Sequence, residues 1–306
     1  MKKILFIASV IVLGLTSSCV QQQKPSTETT EVNLNEYELM ASGSFYQYPE
    51  EIAVRLWDTD NWGETLDQQL KWQEECRQQL ICYFDSIHPE SHLSETEKVD
   101  SLLSELNTHF NGDWADTTAE MILNGRRWKG FMMYQVIAHE KQILDIDSSW
   151  KQEIEAWNRF QKPYQSFAMG LVEISYWGGT IRGPLFESVV VTQLDERLED
   201  LRRILFCLQG KKSGKVGNLD SAISKFIKGA ESEFRRFHQT GESILKEDGI
   251  KLEEWTTISQ EQQQDLTDMN RELGKWSKIR KSLPATNSAV EMMDSLTKDM
   301  QSINVY

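Results

Sequence analysis

The chain has 306 residues, 39% of them hydrophobic, which is enough to bury a sizeable core. Its formal net charge is −14, and this excess of negative charge argues against nucleic acid and anionic lipid surfaces as partners. The excess lies near the beginning, where 24 acidic and 8 basic residues occur between Glu28 and Trp150. Such a field attracts basic proteins, although a solvated surface that keeps the protein soluble explains the charge equally well.

The first residues have the pattern of a short secretory signal. Lys2 and Lys3 precede an apolar run, Ile4 to Leu15, which is too short to stay in a bilayer as a permanent helix. Small residues and then Cys19 follow, in the order of a lipoprotein processing site. We therefore predict removal of residues 1–18 and attachment of a lipid to Cys19. An ordinary cleaved signal peptide with an incidental cysteine is the alternative.

Residues 19–35 are mostly polar and are predicted to form a flexible tether. No acidic cluster directly follows Cys19, and this favours an anchor in the outer membrane that faces the periplasm over display on the cell surface. The expected location is the cell envelope, with the mature protein held there by its N-terminal lipid.

Beyond the tether, apolar residues recur at helical spacings, and Gly and Pro are scarce, isolated breaks. The predicted fold class is therefore all-α, with amphipathic helices packed as antiparallel hairpins or a bundle. The basic, glycine-rich stretch from Gln209 to Gly217 predicts a boundary between a helical domain at 36–209 and a C-terminal helical region at 218–306. That region is either a degenerate repeat of the preceding unit or a set of unrelated amphipathic helices.

Two amphipathic helices joined by a short loop are predicted between Trp150 and Leu208. Each has one apolar stripe, so the two helices should pack as an antiparallel hairpin with Trp157 and Leu201 in one core. On the solvent-facing side of the second helix, Glu199 and Arg203 have the i,i+4 spacing of an ion pair.

The order of features in this stretch is specific. Trp157-x-x-Phe160 is followed by a helix, by Gly178-Gly179-Thr180-Ile181, and by a helix that closes on Glu196-Arg197-Leu198-x-x-Leu201. This order resembles the domain of LprI-type lysozyme inhibitors of the bacterial envelope, over about a fifth of the chain. The resemblance implies a binding protein that captures lysozyme or another muramidase, and lysozymes are strongly basic.

The loop at the tip of this hairpin is the candidate surface for contact with a partner. Its candidate residues are Trp177, Gly178, Gly179, Thr180 and Arg182. A purely structural role is the alternative, because a turn needs glycine whatever it binds, and Arg182 would then be solvated.

The cysteine pattern departs from the family named above. Its members commonly carry two cysteines at positions that align near Gln165 and Val189, and neither residue is cysteine here. The hairpin should therefore be held by packing alone. The other cysteines besides Cys19 are Cys76, Cys82 and Cys207, and we expect each to be a small buried apolar residue.

Enzyme and metal motifs are incomplete. His139-Glu140 begins like a zinc-protease motif, but Ile143 stands where the second histidine is needed. Asp58 to Gly63 begins like a calcium loop, but Trp62 occupies a ligand position. We therefore predict no metal, no cofactor and no enzymatic activity.

Ten tryptophans allow a rival function, that of a glycan-binding or structural envelope lipoprotein. Exposed indole rings could form a platform for sugars, but most of these tryptophans lie on apolar helical stripes and are expected in the core. Trp62 and Trp177, in predicted turns, are the exceptions.

Overall fold

The computed structural model describes residues 63–112, 118–210, 217–247, 249–284 and 286–303. Over these ranges the chain forms helices and no strand, which confirms the predicted all-α fold. The helices are α1 Leu66–Ile87, α2 Glu95–Gly112, α3 Thr118–Ile146, α4 Lys151–Ser175, α5 Arg182–Leu208, α6 Leu219–Lys246, α7 Leu252–Arg280 and α8 Thr286–Ser302. A 3-10 turn, Ser148–Trp150, leads into α4.

None of the helices in the described ranges has the length and apolar character needed to cross a membrane. The predicted signal, Cys19 and the tether lie outside the described residues, as does nearly all of the calcium-like segment.

Side chains just ahead of two helices fix where those helices begin. Thr65 and Gln68 form a capping box at α1, in which the Gln68 backbone N–H donates to Thr65 Oγ1 at 3.3 Å and the Thr65 N–H donates to Gln68 Oε1 at 3.1 Å. Asn218 Oδ1 accepts a hydrogen bond from the Ser221 N–H at 3.1 Å and caps α6. These bonds satisfy N–H groups that a helix cannot pair internally.

The buried apolar side chains form two clusters. The first cluster is built from α1, α2, α3 and α5, together with the entry to α4. The second cluster is built from the rest of α4 and from α6, α7 and α8. In the closest helix pairs, α3 lies along α5 and α4 lies along α7. The two helices of the central hairpin are thus mainly covered by different partners.

This division corrects two predictions about the hairpin. Trp157 and Leu201 are both fully buried, but Trp157 lies in the second cluster and Leu201 in the first. The prediction of a shared core was wrong because α7 covers the apolar stripe of α4, whereas α3 covers the apolar stripe of α5. The predicted pair of Glu199 with Arg203 was also wrong: Glu199 pairs with Arg202, three residues away, and Arg203 pairs with Glu291 of α8.

The segment predicted as a domain boundary, 209–217, connects α5 to α6. The second cluster contains residues from both sides of it, because α4 precedes the segment and α6, α7 and α8 follow it. The apolar core is therefore shared across this segment.

Candidate functional site

The loop between α4 and α5 turns at Tyr176 to Gly179. The Gly179 N–H donates to the Tyr176 carbonyl at 2.9 Å, and Gly178 has a φ of +75°, in the left-handed region that favours glycine. Gly178, Thr180 and Ile181 are exposed. This part of the loop is accessible to a partner.

The base of the loop is anchored by the other two side chains predicted there. The Trp177 indole N–H donates to the Gly249 carbonyl at 2.6 Å, which ties the loop to the turn ahead of α7. Arg182 donates through Nε to the Gly179 carbonyl at 3.1 Å, and its guanidinium pairs with Glu173 of α4. Burial raises the pKa of Glu173, and the charge of Arg182 opposes that effect. Arg182 is therefore bound within the molecule instead of being solvated.

The structure thus divides the predicted contact residues into two groups. Trp177 and Arg182 are half-buried and hold the loop in shape, whereas Gly178 and Thr180 are at its surface. Ile181, which was not among the predicted contact residues, is 39% exposed beside them. Single exposed apolar side chains are common on protein surfaces; on this anchored loop Ile181 is accessible to another protein. The role of the loop in binding remains a prediction.

A second constellation, which was not predicted, lies in the interior. It contains five charged side chains, and each is at most 1% exposed. They are Glu140 of α3, Glu153 of α4, Arg197 and Asp200 of α5, and Arg280 of α7. We call this set the buried charge network. Charges this deep are costly unless they pair with one another.

Arg197 is at the centre of the network. Its two terminal nitrogens donate to the two carboxylate oxygens of Glu153 at 2.9 and 2.8 Å, the bidentate geometry that arginine favours. The same nitrogens reach Asp200 at 3.0 Å and Glu140 at 3.5 Å. Burial by itself lowers the pKa of Arg197, but the surrounding carboxylates, Glu153 foremost, raise it above its ordinary value.

Arg280, the last residue of α7, closes the network on its other side. Its guanidinium lies 3.2 Å from Asp200 Oδ1 and donates to the Pro284 carbonyl at 2.7 Å. Ser288 of α8 accepts from Arg280 at 3.1 Å and donates to Asp200. The network therefore connects helices from across the molecule, including α8.

Three tryptophans surround these charges. The Arg197 guanidinium lies 4.9 Å from the centre of the Trp157 ring, and the Arg280 guanidinium lies 4.9 Å from that of Trp150. The Trp276 indole N–H donates to Glu153 Oε1 at 2.7 Å. Trp150 belongs to the first apolar cluster and the other two belong to the second, so the network touches both clusters.

The buried charge network cannot contact a partner because it is closed to solvent. Its role is structural, because all of its ion pairs form only when α3, α4, α5 and α7 pack in one arrangement. A signal for part of it was present in the sequence, since charges such as Glu140 and Arg197 fall on apolar stripes. Arg197, for example, lies three residues after Leu194 and four before Leu201, both of which are buried.

The incomplete zinc motif has a structural explanation. His139 Nδ1 lies 2.8 Å from the Gln135 carbonyl, and burial lowers the pKa of His139. Glu140 belongs to the buried charge network. No group of three or more potential metal ligands occurs in the part of the chain that the structure describes.

Cys76, Cys82 and Cys207 are not joined in disulfides. Cys76 is buried as expected, but Cys82 is exposed and Cys207 is half-buried, so the expectation that all three are buried was wrong. Cys82 lies on the solvent-facing side of α1, where a small residue is accommodated without being packed.

The described tryptophans lie largely in the core. Trp72, Trp150, Trp157, Trp255 and Trp276 are buried, and Trp128 and Trp177 are half-buried. Trp57, Trp62 and Trp114 lie outside the described residues. The described surface therefore offers no fully exposed indole as a platform for a sugar ring.

The sequence matches no protein-family model and no curated protein, and the fold matches no solved structure. The likeness to LprI-type inhibitors therefore remains an inference from the order of motifs, and function has to be argued from the chain's own residues.

Proposed function

We propose that this protein is an envelope lipoprotein, anchored through Cys19, that binds lysozyme or another basic muramidase without catalysing a reaction. The observation that carries the proposal is the α4–α5 loop, in which exposed Thr180 and Ile181 stand on a base fixed by Trp177 and Arg182. The same stretch provides the motif order that resembles LprI-type inhibitors.

The anchored loop favours binding because little conformational entropy is lost when a partner binds. A loop already held by the Trp177–Gly249 bond and the Arg182–Glu173 pair loses little conformational freedom when a partner covers it. Ile181 then supplies apolar area and Thr180 a hydroxyl that can donate or accept a hydrogen bond. Close contact by these two side chains should mainly set the dissociation rate.

The net charge of −14 acts at longer range. It accelerates encounter with a basic partner, and the acceleration weakens as salt rises, because the screening length falls to about 8 Å at physiological ionic strength. Association with a muramidase should therefore slow with added salt.

The test is a titration of the mature protein, without residues 1–18, against hen-type and bacterial-type muramidases at low and physiological salt. Thr180→Ala with Ile181→Ala should speed dissociation. The matched control is Phe206→Ala, which removes an exposed apolar side chain near the far end of α5, about 37 Å from Ile181 at 1.5 Å per residue. This control should dissociate like the wild type. Absence of binding to every muramidase at low salt would refute the proposal and leave a structural envelope lipoprotein.

A further inference from the structure

The buried charge network contains more acidic than basic side chains. It contains three carboxylates, of Glu140, Glu153 and Asp200, and two guanidiniums, of Arg197 and Arg280. With all five groups ionised, one net negative charge would be enclosed where no side chain of the set is more than 1% exposed. An uncompensated buried charge is strongly unfavourable, so the arrangement favours a proton on one carboxylate.

Glu140 is the carboxylate with the weakest hydrogen bonding. Its Oε1 lies 3.5 Å from Arg197, at the limit of a hydrogen bond, and its buried Oε2 has no hydrogen-bond partner. Glu153, in contrast, accepts two bonds from Arg197 shorter than 3.0 Å and a third from Trp276. Asp200 is bound by both guanidiniums. The proton therefore belongs on Glu140.

Among the described residues, Arg197 is the one cation within ion-pair distance of Glu140. Arg197, the nearest guanidinium, is already held bidentately by Glu153. On α3 itself, His139 is bonded to a backbone carbonyl, and Lys141 pairs with Glu74 of α1. The 3-10 turn ahead of α4 has no titratable side chain. Two sets of charged or titratable groups therefore surround Glu140. The first is the rest of the buried charge network, and the second is its chain neighbours His139 and Lys141.

We propose that Glu140 is a pH switch in the packing of α3 on α5, which is tight when Glu140 is neutral and weakened when Glu140 is ionised. This device is independent of the proposed binding function. It ties the stability of the fold to the pH around the protein.

The direction of the effect follows from linkage. Burial raises the pKa of Glu140 to about 7 in the folded chain, and the charge of Arg197 opposes that rise. In the unfolded chain the group has its ordinary pKa of 4.5. The folded state therefore holds a proton that the unfolded state has lost between these two values. The stabilisation is complete below pH 4.5 and is lost as the pH rises to about 7.

The experiment compares wild type with Glu140→Gln, which mimics the neutral form, by urea unfolding between pH 4.5 and 8. The unfolding constant of the wild type, divided by that of the variant, should rise about tenfold per pH unit up to about pH 7 and then level off. Glu199→Gln, an exposed change on α5, measures the effect of the same substitution at the surface. If the unfolding constant of the wild type divided by that of Glu140→Gln does not change with pH, the proposal is overturned.

A second measurement does not require Glu140→Gln to fold. Burial, and after it the charge of Asp299, also raises the pKa of Glu196 to about 7. The Glu196 carboxyl must therefore be eliminated by substitution so that its signal is not mistaken for that of Glu140. In Glu196→Gln protein labelled with ¹³C at glutamate carboxyls, nuclear magnetic resonance should detect one carboxyl that titrates near pH 7. If no glutamate carboxyl titrates there, Glu140 does not hold the proton and the switch is refuted.

Discussion

Arg197→Met removes the positive charge at the centre of the buried charge network and leaves a flexible apolar side chain in its place. The substitution eliminates the bidentate bond to Glu153, at 2.8 and 2.9 Å, and the bond to Asp200 at 3.0 Å. Arg280 then faces two buried carboxylates alone. Breaking a buried ion pair from one side costs about 3–5 kcal/mol, chiefly because the remaining charge is left without compensation.

For a folded unit of this size, each kcal/mol corresponds to about 2–4 °C in Tm, so a loss of about 4 kcal/mol should lower Tm by about 8–16 °C. Urea unfolding followed by tryptophan fluorescence and by circular dichroism measures the loss directly. Arg202→Met is the matched control. Arg202 lies on the same helix but is exposed and paired with Glu199, so its loss should cost at most about 1 kcal/mol.

A compensating variant separates charge balance from packing. Glu153→Gln combined with Arg197→Met leaves Asp200 with Arg280 as a matched pair. The glutamine oxygen can still accept the Trp276 indole N–H. This double variant should be more stable than Arg197→Met alone, although it carries one more substitution. A free energy of unfolding for Arg197→Met within about 1 kcal/mol of wild type would refute the reasoning, because the four broken hydrogen bonds would then carry no net stability.

Other changes give direct tests of single features. Gly178→Ala should cost about 1 kcal/mol because of its positive φ, whereas Gly274→Ala, inside α7 with open space at its Cβ, should gain up to about 1 kcal/mol; thermal melts measure both. Cys82 should react with a thiol reagent in the native protein and Cys76 only after unfolding, so equal labelling by mass spectrometry would contradict their different burial. Cys19→Ala should lose both an acyl probe and membrane fractionation, and retained label would exclude this lipid site.

Helical periodicity accounts for what the sequence predicted well. The predicted stripe of α4 is buried throughout, from Trp150 to Ile174, because apolar residues at spacings of three and four must share one face. The partner of each face was not predictable in the same way. A stripe indicates that something covers it, but whether α3, α5 or α7 does so depends on the packing of the whole chain. This is why Trp157 and Leu201, both correctly expected to be buried, lie in different clusters.

The buried charge network shows a second limit of sequence reasoning. Arg197 and Asp200 are three residues apart and could have been paired from the sequence. Glu153, however, lies 44 residues before Arg197, and Arg280 lies 80 residues after Asp200. A single charge on an apolar stripe also fits the edge of a helix face. Only the meeting of several such stripes distinguishes a buried ion pair from a solvated charge.

The bond from the Trp177 indole to Gly249 makes the loop depend on distant parts of the chain. A fragment that stopped after α5 would lack Gly249, and the face of α4 that α7 covers would lie open to water. Such a fragment would expose Trp157 and its neighbours and would tend to aggregate. A recombinant hairpin or a synthetic loop peptide should therefore be a poor substitute for the whole chain in a binding assay. The smallest piece that can present Thr180 and Ile181 in this shape has to include Gly249 and the whole of α7, whose Trp276 contacts Trp157.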